Sequence, residues 1–260
     1  MREEKLKFKS EELELTGVLT NPEIETKDCI ILCHGITVDK DEAGRFTELA
    51  HKIAETGLAV FRFDFRAHGE SQGNSIDLTI TGEKTDLENA FKFLQKLGFA
   101  RFGICAASFG GGPALLYTAE HQDIIRALCL WNAVIDYHGF LNPELPWPKE
   151  NFGPEQMTLL NDKGYIEIGS RNFRLGKEIF KEMLAIEPHK VLKDIHIPIL
   201  FIHGNKDTYV HYEDSVLYSK IPPVSKLITI EGAEHGFHDK KEWADEADTN
   251  TVTFFRRAFF

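Results

Sequence analysis

From residue 28 onward the chain alternates short apolar runs with longer amphipathic segments. The runs "CIILC" (29–33), "AVFRFD" (59–64), "FARFGICAA" (99–107), "ALCLWNAV" (127–134), "PILFIHG" (198–204) and "KLITIEG" (226–232) are almost continuously hydrophobic. Strands buried on both faces of a parallel sheet have that pattern. Between them, "RFTELAHKIAETG" (45–57), "EKTDLENAFKFLQKLG" (83–98), "FGGGPALLYTAEH" (109–121) and a last segment near "TNTVTFFRRAFF" (249–260) carry helical patterns. Helices between successive strands imply right-handed crossovers, so the expected fold is α/β: a doubly wound, mostly parallel sheet. Upstream, "LKFKS" and "LELTGVLT" (13–20) alternate more cleanly, which predicts an N-terminal antiparallel hairpin at one edge.

Residues 137–175 break this rhythm. They hold four prolines, several aromatics and no clear period. A structureless loop of that length is unusual in a compact domain unless it serves as a lid or binding element. The expectation is a small cap insertion, partly hairpin, over one edge of the sheet. The core domain is then 1–136 and 176–260, with "GKEIFKEMLAIEPHKVLKDI" (176–195) returning as helix to the strand at Pro198.

Composition narrows the function classes. At 260 residues one large domain is expected, and the formal charge of −11 argues against a nucleic-acid surface or an anionic membrane as partner. No apolar stretch approaches the roughly 20 residues of a membrane span. The charged start "MREEKLKFKSEELEL" lacks the apolar core of a secretory signal. Cys29, Cys33, Cys105 and Cys129 all lie in strand-like runs, as buried free thiols in a reducing cytoplasm do. Cys29 and Cys33 have no partnering Cys/His cluster, so neither a metal nor a cofactor is expected.

The candidate chemistry centres on "GICAASFGGGPALL" (103–116). A strand ending at Ala107, then Ser108, then a helix opened by small residues makes a sharp turn with the serine at its apex. Glycines 110 to 112 let that helix approach the sheet, and its N-terminus favours developing negative charge on the serine oxygen. The alternative is a serine that merely N-caps a buried helix. The distant sequence decides between them: Asp207 follows "PILFIHG" and His235 follows "KLITIEG". Each of the three stands at the carboxyl end of a parallel strand, the edge at which open α/β sheets bind ligands. A histidine is needed to take the serine proton, and a carboxylate to fix the histidine tautomer. The turn ending "ILCHGIT" could aim the Ile36 N–H at an oxyanion beside that of Phe109.

The wording and order of "HGIT", "FDFRAHGESQG", "ASFGGG", "HGNKDTYV" and "EGAEHGF" resemble the α/β-hydrolase superfamily. More narrowly they resemble its serine carboxylesterases of the feruloyl/cinnamoyl-esterase and acylglycerol-lipase type. The resemblance covers residues 13–260 apart from the insertion. It implies a triad of Ser108, Asp207 and His235, an oxyanion hole from Ile36 and Phe109, and hydrolysis of small or medium carboxylic esters through an acyl-enzyme. The departure is Ala106, where the family usually has glycine.

Rival residues and rival classes follow. His238 is the second choice for the base and Asp136, just after "ALCLWNAV", for the acid; His203, His68, Asp64 and Arg66 read as structural. Serine at 108 disfavours lactone opening by a dienelactone-type enzyme and dehalogenation, which use cysteine and aspartate there. The alternatives are an aminopeptidase or acyl-peptide hydrolase-like enzyme, for which no acidic anchor for a substrate amine is recognised, and a non-catalytic binding protein on the same fold. The expected partner is a small-molecule ester, without nucleic acid or a membrane anchor, and with a homodimer as an allowed assembly.

Overall fold

The computed structural model describes residues 1–141, 144–169 and 173–260. Its first six strands are β1 (Arg2–Ser10), β2 (Leu13–Asn21), β3 (Asp28–Cys33), β4 (Ala59–Phe63), β5 (Arg101–Ala107) and β6 (Ile125–Trp131). They are followed by the short pair β7 (Tyr165–Ile168) and β8 (Phe173–Gly176), then β9 (Ile199–Gly204) and β10 (Ser225–Ile230). Eight form one sheet in the order β1-β2-β4-β3-β5-β6-β9-β10, while β7 and β8 pair antiparallel by themselves. From β4 to β10 every neighbour runs parallel, and β1 and β2 are added antiparallel. This is the expected doubly wound sheet with its N-terminal hairpin.

Every residue of β3, β4 and β9 is buried, which is why these strands read as unbroken apolar runs. Successive side chains serve opposite faces. Ile31 and Cys33 enter one core with Phe61, Phe91 and Leu115, and Ile30 and Leu32 enter another with Phe46, Leu49 and Phe255. The first core lies under α2 (Ile80–Lys96) and α3 (Gly111–Glu120), the second under α1 (Arg45–Ala54) and α9 (Lys241–Phe259). The outer strand β1 exposes Arg2, Glu3, Glu4, Lys5, Lys7 and Lys9, a charged edge that resists pairing with another chain.

The C-terminal half departs from the expectations in four places. Helix α9 begins at Lys241, eight residues earlier than its apolar stripe suggests. The helix expected over 176–195 is α7 (Lys177–Ala185), followed by a 3-10 turn over Pro188–Asp194. Pro188 brings no N–H, and the residue before it is pushed out of helical geometry. A short helix between β9 and β10, α8 (Tyr212–Tyr218), was not anticipated. The insertion, expected to be partly hairpin, contains that hairpin in β7–β8, but α4 (Tyr137–Phe140), α5 (Pro146–Phe152) and α6 (Pro154–Lys163) precede it. Pro146 and Pro154 each sit at a helix start, where a missing N–H costs nothing, so prolines that suggest a loop here open helices. The whole excursion leaves the sheet after β6 and returns before β9. A backbone hydrogen bond from His189 N–H to Ile135 C=O (3.0 Å) closes its base.

Candidate active site

Strand β5 ends at Ala107 in extended geometry, and Ser108 then takes φ +49°, a left-handed conformation that costs a non-glycine residue strain. The turn is over-determined by its surroundings. Val134 N–H donates to the Ser108 carbonyl (2.8 Å). A Cβ on Gly110 would fall on the His34 carbonyl oxygen, one on Gly111 on Ala133, and one on Gly112 on the Tyr137 hydroxyl. Across the turn, a Cβ on Gly35 would lie 3.0 Å from Ser108 Cβ. Glycine is therefore required on both sides of the serine for backbone to come this close. Ala106 is fully buried in the core, and the positive φ falls on Ser108 rather than on Ala106.

Three loops converge here. His235 Nε2 lies 3.1 Å from Ser108 Oγ, and His235 Nδ1 lies 2.7 Å from Asp207 Oδ2. Asp207 Oδ1 accepts from the N–H groups of Tyr209 (2.8 Å) and Val210 (2.9 Å), and His203 Nε2 approaches Oδ2 at 3.2 Å. Burial alone would raise the Asp207 pKa, but His235 and His203 hold it below the usual carboxylate range. Burial would lower that of His235, yet the adjacent Asp207 carboxylate, with Glu42 and Glu234, keeps its imidazole more basic than usual. A hydroxyl, an imidazole and a buried carboxylate in this sequence form a proton relay able to activate the hydroxyl as a nucleophile.

Of the rival residues, the acid Asp136 is engaged elsewhere, while the histidine His238 stays in the cleft outside the hydrogen-bonded series. Asp136 Oδ2 accepts from Tyr218 Oη (2.6 Å) and Oδ1 from Gly139 N–H (3.1 Å), at the start of α4. His238 lines the same cleft, and its ring lies where a Cβ on Gly236 would fall. Asp64 accepts from Lys40 and from Glu70 N–H, and Arg66 is held by Asp86, so both tie down loops. His34 Nε2 accepts from Phe65 N–H (3.0 Å) while Nδ1 faces Gly35 C=O (2.7 Å), pinning the end of β3 to the end of β4. The ring of His68 stacks on Phe173 (4.7 Å).

A cleft of about 500 Å³ opens above Ser108 and His235. Ile36 lines it, whereas the Phe109 side chain turns away into a third apolar cluster built with residues of 137–175. Of the aromatic residues in that segment, Phe140 and Trp147 face the cleft; Tyr165 does not and lies under the Arg174 guanidinium (5.0 Å). The cleft is far from purely apolar. Glu42, Glu150, Asn132 and Asn151 are among its walls, and Glu42 Oε1 accepts from Gly35 N–H (2.5 Å). Burial pushes the Glu42 carboxyl up to about 7, with Gly35 N–H and His235 acting the other way.

Glu42, Asn132 and Tyr209 were not anticipated. For Glu42 and Asn132 a signal exists only in the backbone: each takes a positive φ, +46° and +43°, beside Thr37 at +68° and Ser108, and all four line the cleft. For Tyr209 the signal is proximity, two residues past Asp207. Among the described residues no group of three His, Cys, Asp or Glu is placed to hold a metal ion, and no helix is long and apolar enough to cross a membrane.

A mostly parallel sheet with this topology, and with serine, aspartate and histidine on the loops at its strand ends, defines an α/β-hydrolase fold. Residues 24–153 match the Hydrolase_4 family (serine aminopeptidase, S33), and the chain belongs to that family. It is similar to the uncharacterized protein YqkD of Bacillus subtilis, 26% identical over 219 residues, which are 81% of this chain and 66% of YqkD. It is also similar to a monoacylglycerol lipase of Mycolicibacterium smegmatis, 25% identical over 131 residues, which are 48% of this chain and 44% of the lipase. The chain thus spans less than two thirds of the length of these relatives. Est1E from Butyrivibrio proteoclasticus, solved with ferulic acid bound, shares the fold with a TM-score of 0.83 at 22% identity, over 97% of this chain and 98% of Est1E.

Proposed function

We propose that this hydrolase is a serine esterase acting on small or medium carboxylic esters, aryl and acylglycerol esters among them. The observation that carries the reading is the relay from Asp207 through His235 to Ser108, with contacts of 2.7 and 3.1 Å. In this reading His235 Nε2 takes the Ser108 proton as Oγ attacks the ester carbonyl. The N–H groups of Ile36 and Phe109 receive the developing oxyanion, and Asp207 stabilises the imidazolium. His235 then protonates the departing alcohol, leaving Ser108 acylated, and the same base activates water to release the acid. Residues 137–175 act as a cap whose rings hold the acyl or aryl group. Four buried free cysteines suit a reducing compartment, and we take the site of action to be the cytoplasm.

A p-nitrophenyl organophosphonate should release one equivalent of nitrophenolate per chain and leave Ser108 phosphonylated. Ser108→Ala should be unlabelled, still folded, and reduced in ester turnover by on the order of 10⁴ to 10⁶ in kcat. Turnover within tenfold of wild type would remove the nucleophile assignment, and an unlabelled wild type would favour a binding protein. One observation supports a second reading, an aminopeptidase: Glu42 and Glu150 in the cleft supply acidic groups for a substrate amine. Amino-acid p-nitroanilides cleaved faster than p-nitrophenyl esters of rising chain length, with a feruloyl ester included, would move the assignment there.

A further inference from the structure

The ring of His235 is held on both its nitrogens, but those contacts lie in the ring plane. They fix the line from Asp207 to Ser108 and leave the tilt of the imidazole about that line free. A third contact lies against the face of the ring. Tyr209 lies parallel to His235 at a centroid distance of 4.7 Å and an interplanar angle of 9°. Tyr209 is 39% exposed, so core packing does not account for its position. Its N–H donates to Asp207 Oδ1, and its ring therefore rides on the same carboxylate that orients the base.

The stack continues into the insertion. Trp147 lies over Tyr209 (5.4 Å, 19°), Phe140 over Trp147 (5.8 Å, 24°), and Phe109, the residue after the nucleophile, closes the series at 6.4 Å from Phe140. Trp147 N–H also donates to Thr208 C=O (3.2 Å), and Thr208 Oγ1 donates to Glu234 Oε2 (3.0 Å). A series of rings thus leaves the base, crosses the cap and ends at Phe109 in the apolar cluster behind the cleft.

Resting on the esterase reading of the Ser108 relay, we propose that Tyr209 is a positioning residue for His235. Its ring sets the plane of the base, and through Trp147 it couples that plane to whatever occupies the cap side of the cleft. The face of an aromatic ring also favours a cation stacked upon it. The other groups around the base are Asp207 and His203 from the end of β9, Glu42 from the loop after β3, Ser108, and Glu234 and His238 on its own loop. None of these lies flat against the imidazole as Tyr209 does.

The test uses the full chain with Tyr209→Phe, Tyr209→Leu and Tyr209→Met. NMR titration of the His235 imidazole is paired with kcat and KM for a p-nitrophenyl ester. Leucine and methionine keep water off the imidazole while removing the π face. We expect Tyr209→Phe to stay within twofold of wild type. Tyr209→Leu and Tyr209→Met should lose about tenfold in kcat with KM within threefold, and the His235 midpoint should fall by about half a pH unit. Adding Trp147→Leu to Tyr209→Leu should lower kcat no further, because the coupled contact is already gone. Folded Leu or Met variants that titrate and turn over like wild type overturn the proposal. Should the wild type hydrolyse no ester, the esterase reading fails, while the His235 titration still decides the role of Tyr209.

Discussion

The wall of the cleft made by strand ends and the wall made by residues 137–175 meet above Ser108, but they are held by different forces. At the strand ends, backbone fixes backbone: Val134 N–H on the Ser108 carbonyl, Phe65 N–H on His34, and glycines wherever a Cβ would overlap its neighbour. In the insertion, side-chain rings do most of the holding. Phe140, Trp147 and Phe152 pack edge and face against one another, and Phe152 meets Phe180 of α7. Hydrogen-bonded backbone has one geometry, whereas apolar contacts are non-directional and tolerate exchange of similar volume. The two walls should therefore answer differently to substitution: the first all-or-none, the second by degrees.

The largest effect is expected where the relay is broken without a change of shape. Asp207→Asn should lose about 10⁴ in kcat, by analogy with the serine-protease aspartate, because the histidine is left in the wrong tautomer. Asp136→Asn, bonded to Tyr218 outside the relay, should stay within a few-fold. The reverse ranking would hand the acid role to Asp136. Next comes Gly110→Ala, whose new methyl group meets the His34 carbonyl. A stability loss of about 2–3 kcal/mol in urea unfolding is expected; an unchanged midpoint would mean that the elbow yields more readily than its contacts suggest.

The strand-end wall should also be acid-sensitive. Burial holds the His34 pKa down to about 4 and that of His68 to about 3, against an ordinary value of 6.5. As pH falls below 6.5 the unfolded chain takes up protons that the native state refuses, so stability is full above that pH and declines toward 4. The limiting slope is about 1.4 kcal/mol per pH unit and per histidine. Glu42 and Asp214, whose carboxyls burial raises to about 7, act in the opposite sense over this range, so the quantity to read is the difference between variants: from pH 7.5 to 5 the urea midpoint of His68→Phe should rise relative to that of wild type. A difference that does not change with pH would show that His68 takes up its proton in the native state as readily as in the unfolded chain. The smallest effects belong to the ring-held wall. Trp147→Ala should raise KM about tenfold, more than it lowers kcat, and reorder preference among esters. Tyr165→Ala, outside the cleft, should keep the wild-type ranking; if it does not, the cap acts through more than its lining.

This contrast also decides what is legible in the sequence. Strands such as "CIILC" and "PILFIHG" are readable because burial on two faces excludes polar residues throughout. Ser108 and Asp207 are readable because each follows such a run, and His235 because it follows the parallel edge strand β10, since a parallel sheet carries every strand end to one edge. Glu42 gives no such cue: it reaches the cleft through a left-handed kink at residues 42 and 43, set by tertiary contacts. The helices of the insertion are hard to read for a related reason. They are four, seven and ten residues long, too short to impress a period, and two open on the prolines that suggest loop. Trp147 and Tyr165 look equivalent as sequence, and only packing sends one into the cleft and the other under Arg174.

The hydrogen bond between His189 and Ile135 has a bearing on how such a molecule can diverge. It makes the departure and return of the excursion immediate neighbours, so the sheet perceives a closed junction whatever lies beyond it. Chain-closure entropy grows only logarithmically, about 0.6 kcal/mol for each doubling of length. A roof twice as long, or half as long, would thus weigh on folding less than a single methyl group added at Gly110. The junction makes the roof exchangeable and the floor frozen. On the esterase reading, laboratory grafting of alternative roofs between residues 135 and 189 is accordingly the direct route to new substrate preferences on an unchanged floor.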